Sequence, residues 1–152
     1  MTSATTPKTI ELYGMGCQHE DKATVVITPG YLVERNSTGV APHSTAGGVA
    51  NTHFAVEDDM VGGTIDDDYA INDNVIFKTY PAGSSVYALV AASATAITKG
   101  AFLASAGDGT LALAGTGVIA VAQALEAVDN SGGAAEARIK VEIIPAQRTA
   151  AA

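Results

Sequence analysis

The chain lacks tryptophan, has a single cysteine and is poor in aromatic residues, and each shortage limits what the protein can be. With three Phe and five Tyr among 152 residues, its core must consist of small side chains and of Val, Ile and Leu. Ala supplies 29 residues, and burying Ala contributes much less than the roughly 1.5–3 kcal/mol of a larger apolar side chain. Cys17 alone excludes an intrachain disulfide, which fits a protein made in a reducing cytoplasm.

Basic residues are also scarce. Eight Lys and Arg stand against sixteen Asp and Glu, which gives a net charge of −8 at pH 7. An acidic surface repels phosphate backbones and anionic lipids, so we expect no nucleic-acid partner and no membrane partner. The sequence shows no secretory signal pattern, and no stretch approaches the roughly 20 apolar residues of a membrane span.

The most informative positive feature is a pattern that occurs twice, seventy positions apart. Residues 27–33 (ITPGYLV) are matched by residues 97–103 (ITKGAFL), and each copy has a glycine six positions beyond its end. A later apolar segment ends in Glu57 after the first copy and in Glu126 after the second. Each copy therefore predicts a turn, a short strand, a glycine turn and a later strand.

These features predict a mostly β protein, a small β-barrel or β-sandwich with two related β-units and room for one short helix. The units are expected over about residues 25–59 and 95–129, within a single domain formed by residues 14–145. Residues 1–13 are predicted to be an N-terminal arm or a first strand, and residues 146–152 a flexible tail.

Strands are predicted where β-branched or alternating apolar residues lie between turn signals. The predicted strands are 8–13, 23–28, 31–34, 52–56, 75–80, 84–91, 101–105, 110–114, 118–126 and 138–143. Residues 75–80 and 84–91 are predicted to pair as a hairpin around a Pro-Ala-Gly turn, and residues 36–53 to form a long surface loop. The alanines of 118–128 also favour a helix, but their alternation with Val and Ile favours a strand.

The most visible polar feature is an acidic segment. Seven of the sixteen carboxylates lie in residues 57–73, and no Lys or Arg occurs in residues 36–77. Because hard cations bind several oxygens, Asp66, Asp67 and Asp68 are weak candidates for metal ligands. Adjacent side chains on an extended chain point in opposite directions, and the spacing is not that of an EF-hand. A solvated loop, or one that docks on a basic patch, is therefore the favoured interpretation.

The remaining polar residues form no catalytic pattern that the sequence reveals. Cys17 and His19 would share one face of a strand, but they lack the partners of a metal site or of a nucleophile with its base. We expect no cofactor and no enzymatic activity. The five scattered Tyr could stack on sugar rings, so a surface-displayed carbohydrate-binding or host-attachment module is the alternative function, although Tyr31, Tyr80 and Tyr87 fit equally well as rim or interface residues.

Five segments together resemble a known class of protein. They are 52–58 (THFAVED), 65–69 (IDDDY), 87–90 (YALV), 97–109 (ITKGAFLASAGDG) and 124–129 (ALEAVD). Within about residues 25–144 the chain resembles the capsid decoration, or cement, proteins of tailed bacteriophages. The resemblance implies a β-rich structural protein on the outer surface of the virion. It would be made in the host cytoplasm and would stabilise the head by bridging major capsid subunits, often as a homotrimer.

A protein of this class needs contact residues, and the N-terminal segment is a candidate to supply them. An arm can add as a strand to a neighbouring sheet, where main-chain hydrogen bonds provide affinity. Ile10, Leu12 and Tyr13 are therefore the predicted capsid or inter-subunit contacts. The alternative is that residues 9–13 form the first strand of the protein's own core.

Overall fold

The structure, a computed structural model that describes residues 6–149, consists almost entirely of β-strands. The strands are β1 (Glu11–Tyr13), β2 (Cys17–Lys22), β3 (Val33–Asn36), β4 (Gly39–Pro42), β5 (His53–Ala55), β6 (Asn74–Thr79), β7 (Ser85–Val90), β8 (Phe102–Ser105), β9 (Leu111–Leu113), β10 (Ile119–Ala124) and β11 (Ala137–Arg148). A single 3-10 turn, Asp59–Val61, is the helical element of the described residues. The predicted fold class is confirmed.

Five strands close into a small barrel in the order β7-β11-β10-β8-β9. The barrel closes through a parallel pairing of Val90 in β7 with Leu111 in β9, and β1 pairs with the other end of β7. Successive side chains of a strand point to opposite faces, and the alternation predicted for the last strand is present. Ile139, Val141 and Ile143 are all buried in the main core.

A three-stranded sheet, β2-β6-β5, packs beside the barrel, and we call it the side sheet. Along β6, Ile76 belongs to the main core, whereas Val75 and Phe77 belong to a second core. The hairpin β3–β4 covers that second core through Val33 and Val40. Strand β6 is therefore buried on both faces, which explains its nearly continuous apolar run.

Each β-unit has its own pair of main-chain hydrogen bonds, and the two pairs lie at corresponding positions. In the first unit, the Gly30 amide donates to the Ala55 carbonyl (2.8 Å), and in the second the Gly100 amide donates to Ala124 (2.8 Å). Each alanine amide donates back to the residue after the glycine (3.0 and 2.9 Å). Both glycines have positive φ, 101° and 88°, which glycine adopts without steric cost.

The glutamates at the ends of the two units also have the same role. Glu57 Oε2 accepts a hydrogen bond from the Ile10 amide (3.0 Å), and Glu126 Oε1 accepts one from the Lys140 amide (3.1 Å). Ile10 and Lys140 lie on opposite sides of Tyr87 in β7. Each carboxylate thus satisfies a main-chain donor beside the same barrel strand.

The predicted hairpin of residues 75–80 with 84–91 is wrong. These segments form β6 and β7, which belong to different sheets. Both edges of β6 are occupied by β2 and β5, and β7 pairs with β11 on one side and with β1 and β9 on the other. The turn between them instead carries the chain from the side sheet into the barrel, and the Gly83 amide donates to the Ile143 carbonyl (2.8 Å).

Three further strand predictions need correction. Residues 23–28 form no strand, because they cross between sheets with isolated bridges at Ala23 and Ile27. Strand β2 was not predicted because its sequence, CQHEDK, is polar and lies on a sheet edge. The predicted loop 36–53 contains β4, whose pairing with β3 depends on the second core.

The predicted flexible tail begins too early. Residues 146–148 continue β11, and Gln147 pairs with Ala120 of β10. Residues 150–152, like residues 1–5 of the predicted arm, lie outside the described residues. Within residues 6–149, no helix has the length and apolar character needed to cross a membrane.

The paired glycine turns provide a matched test of the packing between the first unit and the barrel. We expect Gly30→Ala and Gly100→Ala each to lower the free energy of unfolding by about 1–2 kcal/mol, because both impose positive φ on a residue with a Cβ. Gly30→Ala should cost more. Its Cβ would lie 2.5 Å from Arg138 Nη1 and 3.0 Å from the Tyr87 carbonyl oxygen, whereas nothing lies within 4 Å at Gly100.

Urea denaturation of both variants measures the difference. Equal losses for the two substitutions would show that the close approach at Gly30 has no energetic consequence.

Candidate functional site

The segment predicted to contact a partner, Ile10 to Tyr13, packs on the protein itself, and its last three residues form β1. Ile10 is fully buried in the main core, and Leu12 packs partly buried against it. The Ile10 carbonyl accepts a hydrogen bond from the Tyr87 amide (2.8 Å). The first-strand alternative is therefore the one that the structure shows for this segment. Of the three predicted contact residues, Tyr13 is accessible, with 73% of its surface exposed.

The three aspartates considered as metal ligands have different surroundings. Asp66 lies on the surface 3.9 Å from Arg138, and Asp68 is exposed. Asp67 Oδ2 accepts hydrogen bonds from the Thr64 amide (2.7 Å) and hydroxyl (2.9 Å), and these bonds lower the pKa of Asp67. Within the described part of the chain, no group of three or more potential ligands is placed to hold a metal ion.

Arg138 holds this acidic segment against the barrel, a role that the sequence did not indicate. Its Nη1 donates to the Pro29 carbonyl (2.7 Å) and its Nη2 to the Ile65 carbonyl (2.6 Å). The guanidinium also lies 5.7 Å from the centre of the Tyr87 ring, within the range of a cation–π interaction. One half-buried side chain of β11 therefore fixes both the first glycine turn and the acidic segment.

Replacing this side chain should destabilise the protein. Arg138→Met leaves two carbonyls without their donors, and a buried unsatisfied group costs about 1–3 kcal/mol. We expect the free energy of unfolding to fall by about 2–4 kcal/mol, with faster amide hydrogen exchange in residues 58–67. Lys99→Met, at an exposed turn position, is the control and should change stability little. If both variants unfold at the same urea concentration, Arg138 has no anchoring role.

Two histidines meet at one threonine on the side sheet. Thr79 Oγ1 lies 2.7 Å from His53 Nδ1 and 3.1 Å from His19 Nε2. Because the threonine hydroxyl has a single hydrogen, at most one ring can accept a hydrogen bond from it, and at least one ring must donate to it. Cys17 is in register with Thr79 and is exposed. Sequence reasoning found Cys17 and His19 but missed His53, which comes from a strand two places along the sheet.

His53 should make stability depend on pH. Its burial, followed by the charge of Arg35 and of His19, lowers its pKa below 6.5. Below about pH 6.5 the unfolded chain therefore binds the proton more readily than the folded protein, and stability falls as the pH decreases toward the folded-state pKa. We expect the melting temperature to fall more between pH 7 and pH 5 in the wild type than in His53→Gln.

Arg35→Met should reduce the same loss, because it removes one of the charges that lower the pKa of His53. Identical pH profiles for the wild type and both variants would contradict this assignment.

The third histidine, His43, lies in a buried network with a serine. His43 Nδ1 is 2.7 Å from Ser105 Oγ, and His43 Nε2 is 3.0 Å from the Val49 carbonyl and 3.7 Å from Glu34. Because a carbonyl only accepts, Nε2 carries the hydrogen and Nδ1 accepts from the serine hydroxyl. These groups are those of a nucleophile and its base. However, Ser105 is 4% exposed and His43 is 3% exposed. The network therefore connects the hairpins of the two units inside the protein.

The tyrosines considered for sugar stacking do not form an exposed aromatic surface. Tyr80 and Tyr87 are buried. The half-buried Tyr31 donates its hydroxyl hydrogen to Glu136 (2.6 Å). Burial, together with this carboxylate, raises the pKa of Tyr31 to about 12. Of the five tyrosines, Tyr13 is the most exposed, at 73%, and Tyr69 is buried like Tyr80 and Tyr87, so the described residues contain no exposed group of tyrosines.

Large apolar side chains are instead exposed on loops and turns outside the strands. The most exposed are Met15 (84%), Val49 (79%), Met60 (86%) and Val61 (80%). They lie in the β1–β2 turn, in the segment before β5 and in the 3-10 turn.

No protein-family model matches the chain, and a search of curated proteins gives no match.

Proposed function

We propose that the chain is a structural virion protein, a capsid decoration protein that binds the outer surface of a phage head. In this proposal it acts as a homotrimer and stabilises the head by bridging major capsid subunits. The resemblance of residues 25–144 to phage cement proteins supports the proposal.

The observation that carries the proposal is the exposure of large apolar side chains on a body whose two cores are formed without them. Met15, Met60 and Val61 belong to neither core. Exposed apolar residues that cluster on a surface mark protein interaction sites, and Met60 and Val61 are adjacent in one turn, whereas Met15 lies in another. Covering such side chains is favourable by about 25 cal/mol per Å² of apolar area removed from water. In this proposal the outer surface of the major capsid protein covers them.

The proposed mechanism is mechanical. A rigid body that contacts two capsid subunits makes their separation depend on breaking both contacts. A ligand that binds only the assembled state stabilises that state by mass action, and repeated linked contacts raise the effective strength of each one. The net charge of −8 also disfavours binding to the packaged genome.

Binding to heads tests the proposal directly. Heads assembled from the major capsid protein encoded in the same genome, but lacking this chain, are mixed with purified protein and sedimented. We expect saturable binding at a fixed ratio to the capsid protein, together with a higher temperature of DNA release than in heads without added protein. Absence of co-sedimentation, or an unchanged release temperature at saturation, would contradict the proposal. Specific binding on a glycan array without binding to heads would favour the carbohydrate-binding alternative.

A further inference from the structure

The first β-unit contains a loop that the second unit does not need. In the first unit, Ile27 and Tyr69 exchange two main-chain hydrogen bonds (3.1 and 2.8 Å). Ile97 and Val128 exchange the same two bonds in the second unit (2.8 and 2.9 Å). Tyr69 lies fourteen positions after Ala55, whereas Val128 lies four positions after the corresponding alanine, so the first connection is ten residues longer.

These ten residues, 58–67, are the insertion loop. Because the second unit closes the same hydrogen bonds without such a loop, the loop is not required for closing the unit.

The insertion loop is nevertheless held in one conformation. Ile65 is buried in the main core, and its carbonyl accepts the hydrogen bond from Arg138. The Gly63 amide donates to the Asp58 carbonyl (2.9 Å), and Asp67 accepts two hydrogen bonds from Thr64. A loop already fixed in its free state loses little conformational entropy when it binds a partner.

This rigid loop presents its largest apolar side chains to solvent. Met60 and Val61 are 86% and 80% exposed and lie in the 3-10 turn, which Gly62 ends with a φ of 81°. A surface cavity of about 340 Å³ is lined by Val61 and Asp73, among others. It connects the loop with the neighbouring turn that exposes Ile71. Four aspartates line the same cavity, Asp58, Asp67, Asp68 and Asp73, so the apolar side chain of Val61 borders a group of carboxylates.

The charge around this surface specifies the partner. The insertion loop contributes Asp58, Asp59, Asp66 and Asp67, residues 68–73 add two more carboxylates, and residues 36–77 contain no Lys or Arg. Among the described residues, Arg138 is the cation that forms an ion pair with this group, at 3.9 Å from Asp66. An acidic rim around apolar side chains complements a surface with an apolar hollow and a basic rim.

We propose that the insertion loop is the face with which the protein docks on the capsid. Met60 and Val61 enter an apolar hollow on the outer surface of the major capsid protein, and Lys or Arg residues around that hollow pair with the aspartates. This inference rests on the proposed function and specifies which surface of the chain contacts the shell.

A matched pair of substitutions tests the inference. Val61→Ser and Val49→Ser remove the same side chain from positions of nearly equal exposure, 80% and 79%. Only the first position lies in the insertion loop. We expect Val61→Ser combined with Met60→Ser to weaken binding to heads about tenfold or more, and Val49→Ser to leave binding unchanged. Circular dichroism and thermal melting verify that all the variants are folded.

A separate variant tests the aspartates around the apolar side chains. Asp59→Asn with Asp68→Asn replaces two exposed carboxylates by amides of the same shape. Binding should weaken, and its dependence on NaCl concentration should become shallower, because fewer ionic contacts remain to be screened. Hydrogen exchange of the unmodified protein provides a test without substitutions, since binding to heads should protect the amides of residues 58–67.

The outcomes separate the two proposals. If the wild type does not sediment with heads, the proposed function fails and this inference fails with it. If the wild type binds but the Met60/Val61 variant binds equally well, or if residues 58–67 remain unprotected, the insertion loop is not the docking face and the proposed function stands. A changed oligomeric state of the variant in sedimentation velocity would show that the loop contacts a second copy, which also overturns the inference.

Discussion

The arrangement of the molecule depends on one strand, β6, that is covered on both faces. Along β6, side chains alternate between the main core, through Ile76, and the second core, through Val75 and Phe77. The same alternation occurs where Leu32 and Phe54 face the main core and the residues after them, Val33 and Ala55, face the second core. Since a shift of one residue would exchange the two faces, the register of the side sheet is fixed by both cores at once. This compensates for the small size of many core side chains.

A second constraint joins the units to the barrel. The glycine turn of the first unit approaches β7 so closely that a Cβ on Gly30 would meet a backbone oxygen of Tyr87. Arg138 donates across this contact to the Pro29 carbonyl. The corresponding turn at Gly100 has open space around it. The repeated set of main-chain hydrogen bonds thus occurs once in contact with other elements, at Gly30, and once at the surface, at Gly100. The same hydrogen bonds therefore form whether or not another element lies against the glycine turn.

The parts of the structure that the sequence predicted are those encoded locally. The glycine turns of the two units and the alternating strand over residues 138–143 depend on neighbours in sequence. The missed parts depend on distant contacts. Strand β2 is polar because it lies on an edge, and β4 forms only against the second core. The turn after β6 suggested pairing with β7, but β6 pairs with the distant strands β2 and β5.

The same division applies to the candidate site. The acidic segment was evident from composition, but its anchoring by Arg138 joins residues 73 positions apart in sequence. Likewise, the burial of Ile10 could not be inferred from a segment that fits an arm and a strand equally well.

The comparison of the two units also explains why one face of the protein differs from the others. Two equivalent units would present similar surfaces, and similar surfaces on one molecule allow several competing modes of contact. The ten extra residues remove that equivalence, because only the first unit has the insertion loop, with Met60 and Val61 exposed among aspartates. Like charges on two copies repel each other, so these aspartates disfavour pairing of the insertion loops between copies and favour a basic partner. A head-to-tail contact between copies that does not close into a ring generates open filaments. In the proposed role, in which many copies bind one capsid lattice, such a contact surface would attract the lattice and repel the same surface of other copies.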